Sequence, residues 1–332
     1  MMYYRIAWSP FMTQSPKTFL MLFALACAVT ACDDSTSAPT PSPTATPTGP
    51  VHIVVSSYPA AWLAEQVGGP EVRVQNVLPA GEDPPFWAPS GEVVAQVQQA
   101  ELIVANGAGF ERWMETATLP ADRIVDSANG LDHIHIQGET HSHGTKGEHS
   151  HAGLDPHTWS DPLIYLKQAE AVHAALLQVR PDKKPVFDNH LAAVRTQLTA
   201  LDRKLKDALT PGKGVKIAAN HPAYNYLARR YDLDIHSFDL DPEAVPDAPS
   251  IEAVQAWAET VPKPRHLLWE AQPTDEVRRS LPAGTIHVFI DPLEQPFEGQ
   301  GYDYVNQADR NVATFKALFK KPSPPSSPEK TP

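Results

Sequence analysis

One segment constrains this chain more than any other. "KKPVFDNHLAAVRTQLTALDRKLKDAL", residues 183 to 209, lies between two stretches that each alternate strand and helix. Within it Leu191, Val194, Leu198, Leu201, Leu205 and Leu209 recur every three or four residues, which puts an apolar stripe along one side of a helix. At the rise of an α-helix, about 27 residues extend roughly 40 Å. The "TPGKG" that follows breaks the helix. A rod of that length with one apolar face predicts a spine between two bodies.

The flanking stretches predict those bodies. Before the spine, "VHIVVSSY" (51–58), "EVRVQNVLP", "ELIVANG" (101–107) and "RIVDSA" read as strands, with helices at "PAAWLAEQVGG" (59–69), "GEVVAQVQQA" and "FERWMETAT". Residues 161 to 180 add another helix. After residue 210 the pattern restarts: strands at "VKIAAN", "DIHSFDL", "HLLWE" and "TIHVFID", and helices at "PAYNYLARRYD", "SIEAVQAWAET", "TDEVRRSL" and "YDYVNQADRNVATFKALFK". Such alternation implies parallel sheets covered on both faces. The expected fold is α/β, with two lobes of mostly parallel sheet joined by a long rigid helix. Ligands of such sheets bind at strand C-termini, here in a cleft between the lobes.

The two ends have different chemistry. Lys17 precedes the apolar run "FLMLFALACAV" (19–29), too short for a mature membrane span, and "VTAC" follows it. Small residues ahead of Cys32 resemble a bacterial lipobox, in which that thiol is acylated. An ordinary cleaved signal peptide is the alternative, and either Met1 or Met12 could start the chain. "DDSTSAPTPSPTATPTGP" (33–50) is too rich in Pro, Ser and Thr to bury apolar area and reads as a tether. The tail 321–332 has the same character. The expected organisation is a signal segment 1–32, tether 33–50, N-terminal lobe 51–181, linking helix 182–210, C-terminal lobe 211–320 and tail 321–332. A net charge of −12 without a basic stripe argues against nucleic acid as a partner; it suits a protein that attracts cations, although an acidic surface more often only keeps a protein soluble.

Histidine carries the chemistry. "HIHIQGETHSHGTKGEHSHAG" (133–153) holds His133, His135, His141, His143, His149 and His151, six of the fourteen in the chain, as three H-x-H pairs. In extended backbone, residues i and i+2 face the same way, so each pair can offer two imidazoles to one cation. The surrounding Gly and Ser predict a mobile loop. Three further residues sit where fixed ligands would: His157 between two prolines in "LDPHTWSDP", His221 past a strand in "AANHPAYNYLARRY", and Asp291 past a strand in "VFIDPLEQP".

"SSYP", the "LPAGEDP" loop, "ELIVANG", the His-rich stretch, "DPHTW", "HPAYNYLARRY", "LLWEAQP" and "IDPLE" together resemble the metal-binding subunit of zinc and manganese ABC importers, the cluster A-I solute-binding proteins. The resemblance covers residues 51 to 320. It implies two α/β lobes with the metal between them, and delivery to an ABC permease and its ATPase. The expectation from the whole sequence is a monomer, periplasmic or cell-surface, anchored by lipid on Cys32 and not an enzyme. Family ligands fall on His157, His221 and Asp291. The first family ligand, a histidine, falls on Pro85, and the family's acidic residue three further on is Ala88. Two nitrogens and one oxygen are fewer than the four donors zinc takes in a closed site. The fourth is therefore expected from water, from Glu82 or Asp83, or from the histidines of 133–151, and that loop's reach favours it; Glu270 is a further candidate donor. Imidazole-rich ligation favours Zn2+ over Mn2+. The alternatives are a surface zinc buffer with no permease, and a metalloenzyme whose site of two histidines and one aspartate has Glu270 as its base.

Overall fold

The computed structural model describes residues 49–136, 140–142, 148–150, 153–297 and 299–320. The signal segment, Cys32, the tether as far as residue 48, the tail, His143 and His151 lie outside the described residues.

The first lobe runs β1 (Val51–Val55), α1 (Tyr58–Gly68), β2 (Val72–Asn76), α2 (Gly91–Val97), β3 (Leu102–Ala105) and β4 (Ile124–Asp126). Its four strands form a wholly parallel sheet in the order β2-β1-β3-β4. β1 and β3 are the central strands, and their side chains are buried almost throughout, as an α/β sheet covered on both faces requires. Short antiparallel pairs follow: β5 (His135–Ile136) with β8 (Gly153–Leu154), and β6 (Thr140–Ser142) with β7 (Glu148–Ser150). Then come α3 (Pro162–Val179) and α4 (Lys184–Leu209). The second lobe runs β9 (Lys216–Ala219), α5 (Asn225–Tyr231), β10 (Asp234–Ser237), α6 (Ala248–Thr260), β11 (Arg265–Trp269), α7 (Asp275–Ser280), β12 (Thr285–Phe289) and α8 (Tyr304–Leu318). Its sheet is also parallel, in the order β10-β9-β11-β12.

α4 is the spine. Its 26 residues bury Val194, Leu198, Leu201, Leu205 and Leu209, the apolar stripe seen in the sequence, while Leu191 nearer its N-terminus is only half-buried. These side chains join one hydrophobic core that extends from Ile53 and Val104 of the first sheet to Ile217, Leu268 and Phe315 of the second lobe. An aromatic cluster closes the junction: Trp62 of α1, Tyr165 of α3 and Tyr304 of α8 have ring centroids 4.4 to 5.6 Å apart. Tyr304 donates from its hydroxyl to the Trp159 carbonyl at 2.6 Å, and Trp159 Nε1 donates to the Pro292 carbonyl at 2.9 Å. Because the lobes share a core rather than meet through a flexible linker, they hold a set spacing.

One expectation is corrected here. "FERWMETAT" is not a helix but a single 3-10 turn at Arg112–Glu115. Glu111 folds back to accept from the backbone N–H groups of Asn106 and Gly107 at 2.8 and 3.1 Å, and Ala108 and Gly109 take positive φ, so the chain enters the turn from a tight loop. Within 133–153, where a mobile loop is expected, the described residues form the two antiparallel pairs, with His141 and His149 as Cα partners. Among the described residues, no helix is long and apolar enough to cross a membrane.

Candidate metal site

The cleft between the strand ends holds a cavity of about 460 Å³. His157, His221, Glu270 and Glu294 line it, together with Asp83, Pro85, Phe86 and Arg112 from the first lobe. Each of the first four follows directly from the local fold.

His157 sits at the start of a 3-10 turn, Thr158–Ser160. Asp155, two residues earlier, makes an Asx turn: its Oδ1 accepts from the His157 backbone N–H at 2.9 Å and from ring Nδ1 at 2.8 Å. The other oxygen, Oδ2, accepts from Asn225 Nδ2 at 2.9 Å. The loop behind is tied to β3. Asn106 Nδ2 donates to the Pro156 carbonyl at 2.9 Å, and Thr158 Oγ1 donates to Asn106 Oδ1 at 3.1 Å. With Nδ1–H committed to Asp155, Nε2 is the nitrogen turned to the cleft, where it lies 3.0 Å from Glu294 Oε1. Burial alone would depress the His157 pKa. The Asp155 carboxylate, and then Glu294, outweigh it and raise the value to about 10.

His221 follows β9, and its ring centroid is 5.4 Å from that of His157, nearly edge-on. The neighbouring Asn220 accepts from the Glu270 backbone N–H at 3.0 Å and donates to Glu270 Oε1 at 3.3 Å, which places the end of β11 beside the end of β9.

Asp291 occupies a different position from the one its sequence context suggests. Its side chain faces inward, 7% exposed, with Oδ1 accepting from the Leu293 N–H at 2.8 Å and Oδ2 from Gln307 Nε2 at 2.9 Å. Its backbone N–H and carbonyl are both bonded to Asn311 of α8. Desolvation raises its pKa. The carboxylate brought to the imidazole is Glu294, three residues on. Between them Leu293 has φ +63, an unfavourable left-handed conformation for a branched side chain, held by Asp291 and by Tyr302 donating to its carbonyl at 2.7 Å. This turn aims Glu294 at His157.

The remaining expected donors are arranged as follows. Asp83 lines the cavity, whereas Glu82 is exposed and only its carbonyl bonds across the cleft, to Gln295 Nε2 at 3.3 Å. His133 Nδ1 lies 3.5 Å from the Tyr226 hydroxyl, and His135 is exposed. From β5 and β8 it is Ile136 and Leu154 that line the cavity. Tyr226 ties this segment to the site: it accepts from the Ile134 N–H at 3.2 Å and donates to the Asp155 carbonyl at 3.1 Å. Among the described residues, no three His, Cys, Asp or Glu side chains already stand at ligating distance of one point. The paired groups are close to it, however. Two ligands each about 2.0 Å from a tetrahedral zinc lie roughly 3.3 Å apart, against 3.0 Å here for His157 and Glu294.

Sequence reasoning passed over Glu294 and Asp155, though both stood in quoted motifs, "IDPLE" and "LDPHTW". The spacing Asp-x-His is itself the signal for an Asx turn that orients a ring.

Two parallel-sheet lobes on one core, with imidazole and carboxylate groups turned into the groove between them, define the class of solute-binding proteins that hold a ligand between rigidly linked lobes. The chain belongs to the ZnuA family, described as zinc-uptake complex component A, periplasmic, whose match spans residues 53–318. Similar proteins include the zinc-binding lipoprotein AdcA of Streptococcus pneumoniae, 28% identical over an alignment of 295 residues that covers 85% of this chain and 58% of that one. The high-affinity zinc uptake system protein ZnuA of Bacillus subtilis is 25% identical over 215 residues, 63% of this chain and 67% of that one. This chain thus spans little more than half the length of AdcA. Among solved structures, the Zn(II)-bound ZnuA-like domain of the S. pneumoniae AdcA superposes with a TM-score of 0.69 at 24% identity, covering 82% of this chain and all of that one. The metal-dependent lipoprotein YcdH of B. subtilis superposes with a TM-score of 0.68 at 22% identity, covering 80% and 98%. At these identities the likeness is one of fold.

Proposed function

We propose that this protein is an extracytoplasmic solute-binding protein that captures zinc in the interlobe cleft and delivers it to an ABC import permease and its ATPase. In this reading lipid on Cys32 holds it at the membrane, the tether 33–50 gives it reach, and it acts as a monomer. The observation that carries the proposal is His157: its Nδ1 is committed to a buried carboxylate, and its Nε2 meets Glu294 in a cavity that also contains His221. A carboxylate behind an imidazole fixes its tautomer and raises its basicity, which is the usual support of a metal-binding histidine.

The ligands in this reading are His157, His221 and Glu294, with Asp291 positioning the turn that carries Glu294. Two imidazoles and one carboxylate favour zinc over manganese, which prefers oxygen donors. Asp83, Glu243 and Glu270 around the same cavity add negative potential that draws cations in. On metal entry Nε2 of His157 gives up its proton while Nδ1–H stays on Asp155. The names of the relatives, a zinc-binding lipoprotein and a zinc uptake protein, support the same cargo. The shared core leaves release to local movement of the turn 291–294 and the loop 79–90 rather than to lobe hinging. The imidazoles of 133–151 then gather zinc for delivery to the cleft.

Anomalous diffraction at the zinc edge tests the reading. The expected peak lies within about 2.1 Å of the Nε2 atom of His157 and of a ring nitrogen of His221. A cleft with no peak in crystals that carry zinc elsewhere would overturn it.

A further inference from the structure

Side chains of α5 reach back to the loop that carries His157. Asn225 Nδ2 donates to Asp155 Oδ2 at 2.9 Å, and the Tyr226 hydroxyl donates to the Asp155 carbonyl at 3.1 Å. Arg230 Nε lies 3.3 Å from Asp161 Oδ1, the cap of α3. α5 begins four residues after His221, so one short helix borders both imidazoles of the proposed site. Asp155 is wholly buried, and every polar atom it has is taken by Ile134, His157, Asn225 or Tyr226.

Tyr226 also belongs to the base of the histidine-rich stretch. β5 and β8 pair antiparallel with His135 opposite Leu154, so the next opposed residues are Ile134 and Asp155. A hydrogen-bonded pair of this kind exchanges two backbone bonds. One is made directly, from the Asp155 N–H to the Ile134 carbonyl at 2.8 Å. The other passes through Tyr226, whose hydroxyl accepts from the Ile134 N–H at 3.2 Å while donating to the Asp155 carbonyl. The phenol is therefore the last rung of the ribbon, and the same rung fixes the residue that orients His157. The Tyr226 side chain is wholly buried, with Arg229 Cζ 4.9 Å from its ring centroid, and both contacts limit where the hydroxyl can go.

We propose that Tyr226 is a positioning residue of the metal site, its hydroxyl coupling closure of the β5–β8 ribbon to the aim of His157 through Asp155. The proposal rests on the reading of His157 as a zinc ligand. Zinc on His157 then favours the closed ribbon, and by linkage a closed ribbon tightens the grip on zinc. Tyr226→Phe keeps the buried ring and removes only the relay.

Zinc titration of the full chain against a competing chromophoric chelator, with hydrogen exchange of the Ile134 amide followed by NMR, tests it. In the wild type, one equivalent of zinc is expected to slow that exchange, and His157→Ala to abolish the slowing. In Tyr226→Phe the tightest zinc site should weaken about tenfold, and the amide should no longer respond to the metal. The loss should run through Asp155. In an Asp155→Ala background, Tyr226→Phe should therefore weaken zinc binding by less than about twofold further, where a merely structural loss would add in full. Should Tyr226→Phe fold poorly, the wild-type exchange decides, because an Ile134 amide indifferent to zinc overturns the proposal. Unchanged zinc affinity in a folded Tyr226→Phe also overturns it and leaves the metal reading standing. So do additive losses with Asp155→Ala, or slowing that persists in His157→Ala. Zinc binding that is indifferent to His157→Ala removes the metal reading and the proposal with it.

Discussion

Asp155 holds His157 twice, accepting from the backbone N–H at 2.9 Å and from ring Nδ1 at 2.8 Å, with the Asp155 side chain wholly buried. One side chain thus sets both the position of the ring and which nitrogen meets a ligand. It also stores a proton: His157 stays protonated up to about pH 10, against an ordinary value of 6.5. In the metal-free protein this interaction stabilises the fold fully below pH 6.5 and is lost as pH rises towards 10. In the proposed site zinc displaces that proton, so its affinity is expected to rise with pH across the same window. Titration calorimetry at about pH 7.5 in buffers of differing ionisation enthalpy should show His157 contributing one released proton. Asp155→Asn should release less and bind zinc about 10- to 100-fold more weakly. Equal proton release in the two proteins would contradict this linkage.

The proposed ligands should rank by how firmly each is held. His157→Ala is expected to weaken zinc binding by about 100-fold or more, and Glu294→Gln by about tenfold, since the latter keeps its shape and one oxygen. Titration of both variants with zinc checks the ranking.

Asp291 should act at one remove. Asp291→Ala frees the Leu293 N–H and the Gln307 side chain, so the left-handed residue at 293 loses its restraint and Glu294 its aim. We expect a loss of stability of about 1–3 kcal/mol together with weaker zinc binding. In an Asp291→Ala background, adding Glu294→Gln should cause less further loss of affinity than it does alone, a coupling measured by a double-mutant cycle. Strictly additive effects would instead make Asp291 an independent contributor.

Glu111 gives the fold a second pH dependence. It is fully buried, and desolvation raises its pKa from 4.5 to about 7 despite bonds from Asn106, Gly107 and Ser57. The folded state thus binds a proton that the unfolded chain releases, and its stability falls as pH rises from 4.5 to 7. The full effect is about 3 kcal/mol. Urea denaturation across this range should show the decline in the wild type and a flatter profile in Glu111→Gln.

The spine should unfold with both lobes. Leu201 is 1% exposed in the core that the two sheets share, so Leu201→Ala should cost about 2–5 kcal/mol. Calorimetry should record one shifted transition rather than the separate melting of one lobe.

The apolar stripe on residues 191–209 and the two runs of alternating strands and helices were legible in the sequence because helix and sheet periodicity are local properties, readable within a few turns of chain. They led to parallel sheets, a single long helix and His157 and His221 at strand or loop ends. What periodicity cannot show is where a side chain is directed once its loop is fixed by residues far away. Asp291 and Glu294 are both acidic and both follow β12. Only the bonds from Gln307 and Leu293 decide that the first turns inward, and only the left-handed residue between them decides that the second reaches His157. The 3-10 turn at Arg112–Glu115 has the same origin, since Glu111 caps a loop whose partners, Asn106 and Gly107, belong to the preceding strand end. Pattern along the chain determined the elements. The direction of the carboxylates was decided by long-range hydrogen bonds and burial, which exist only after the lobes have closed on their common core.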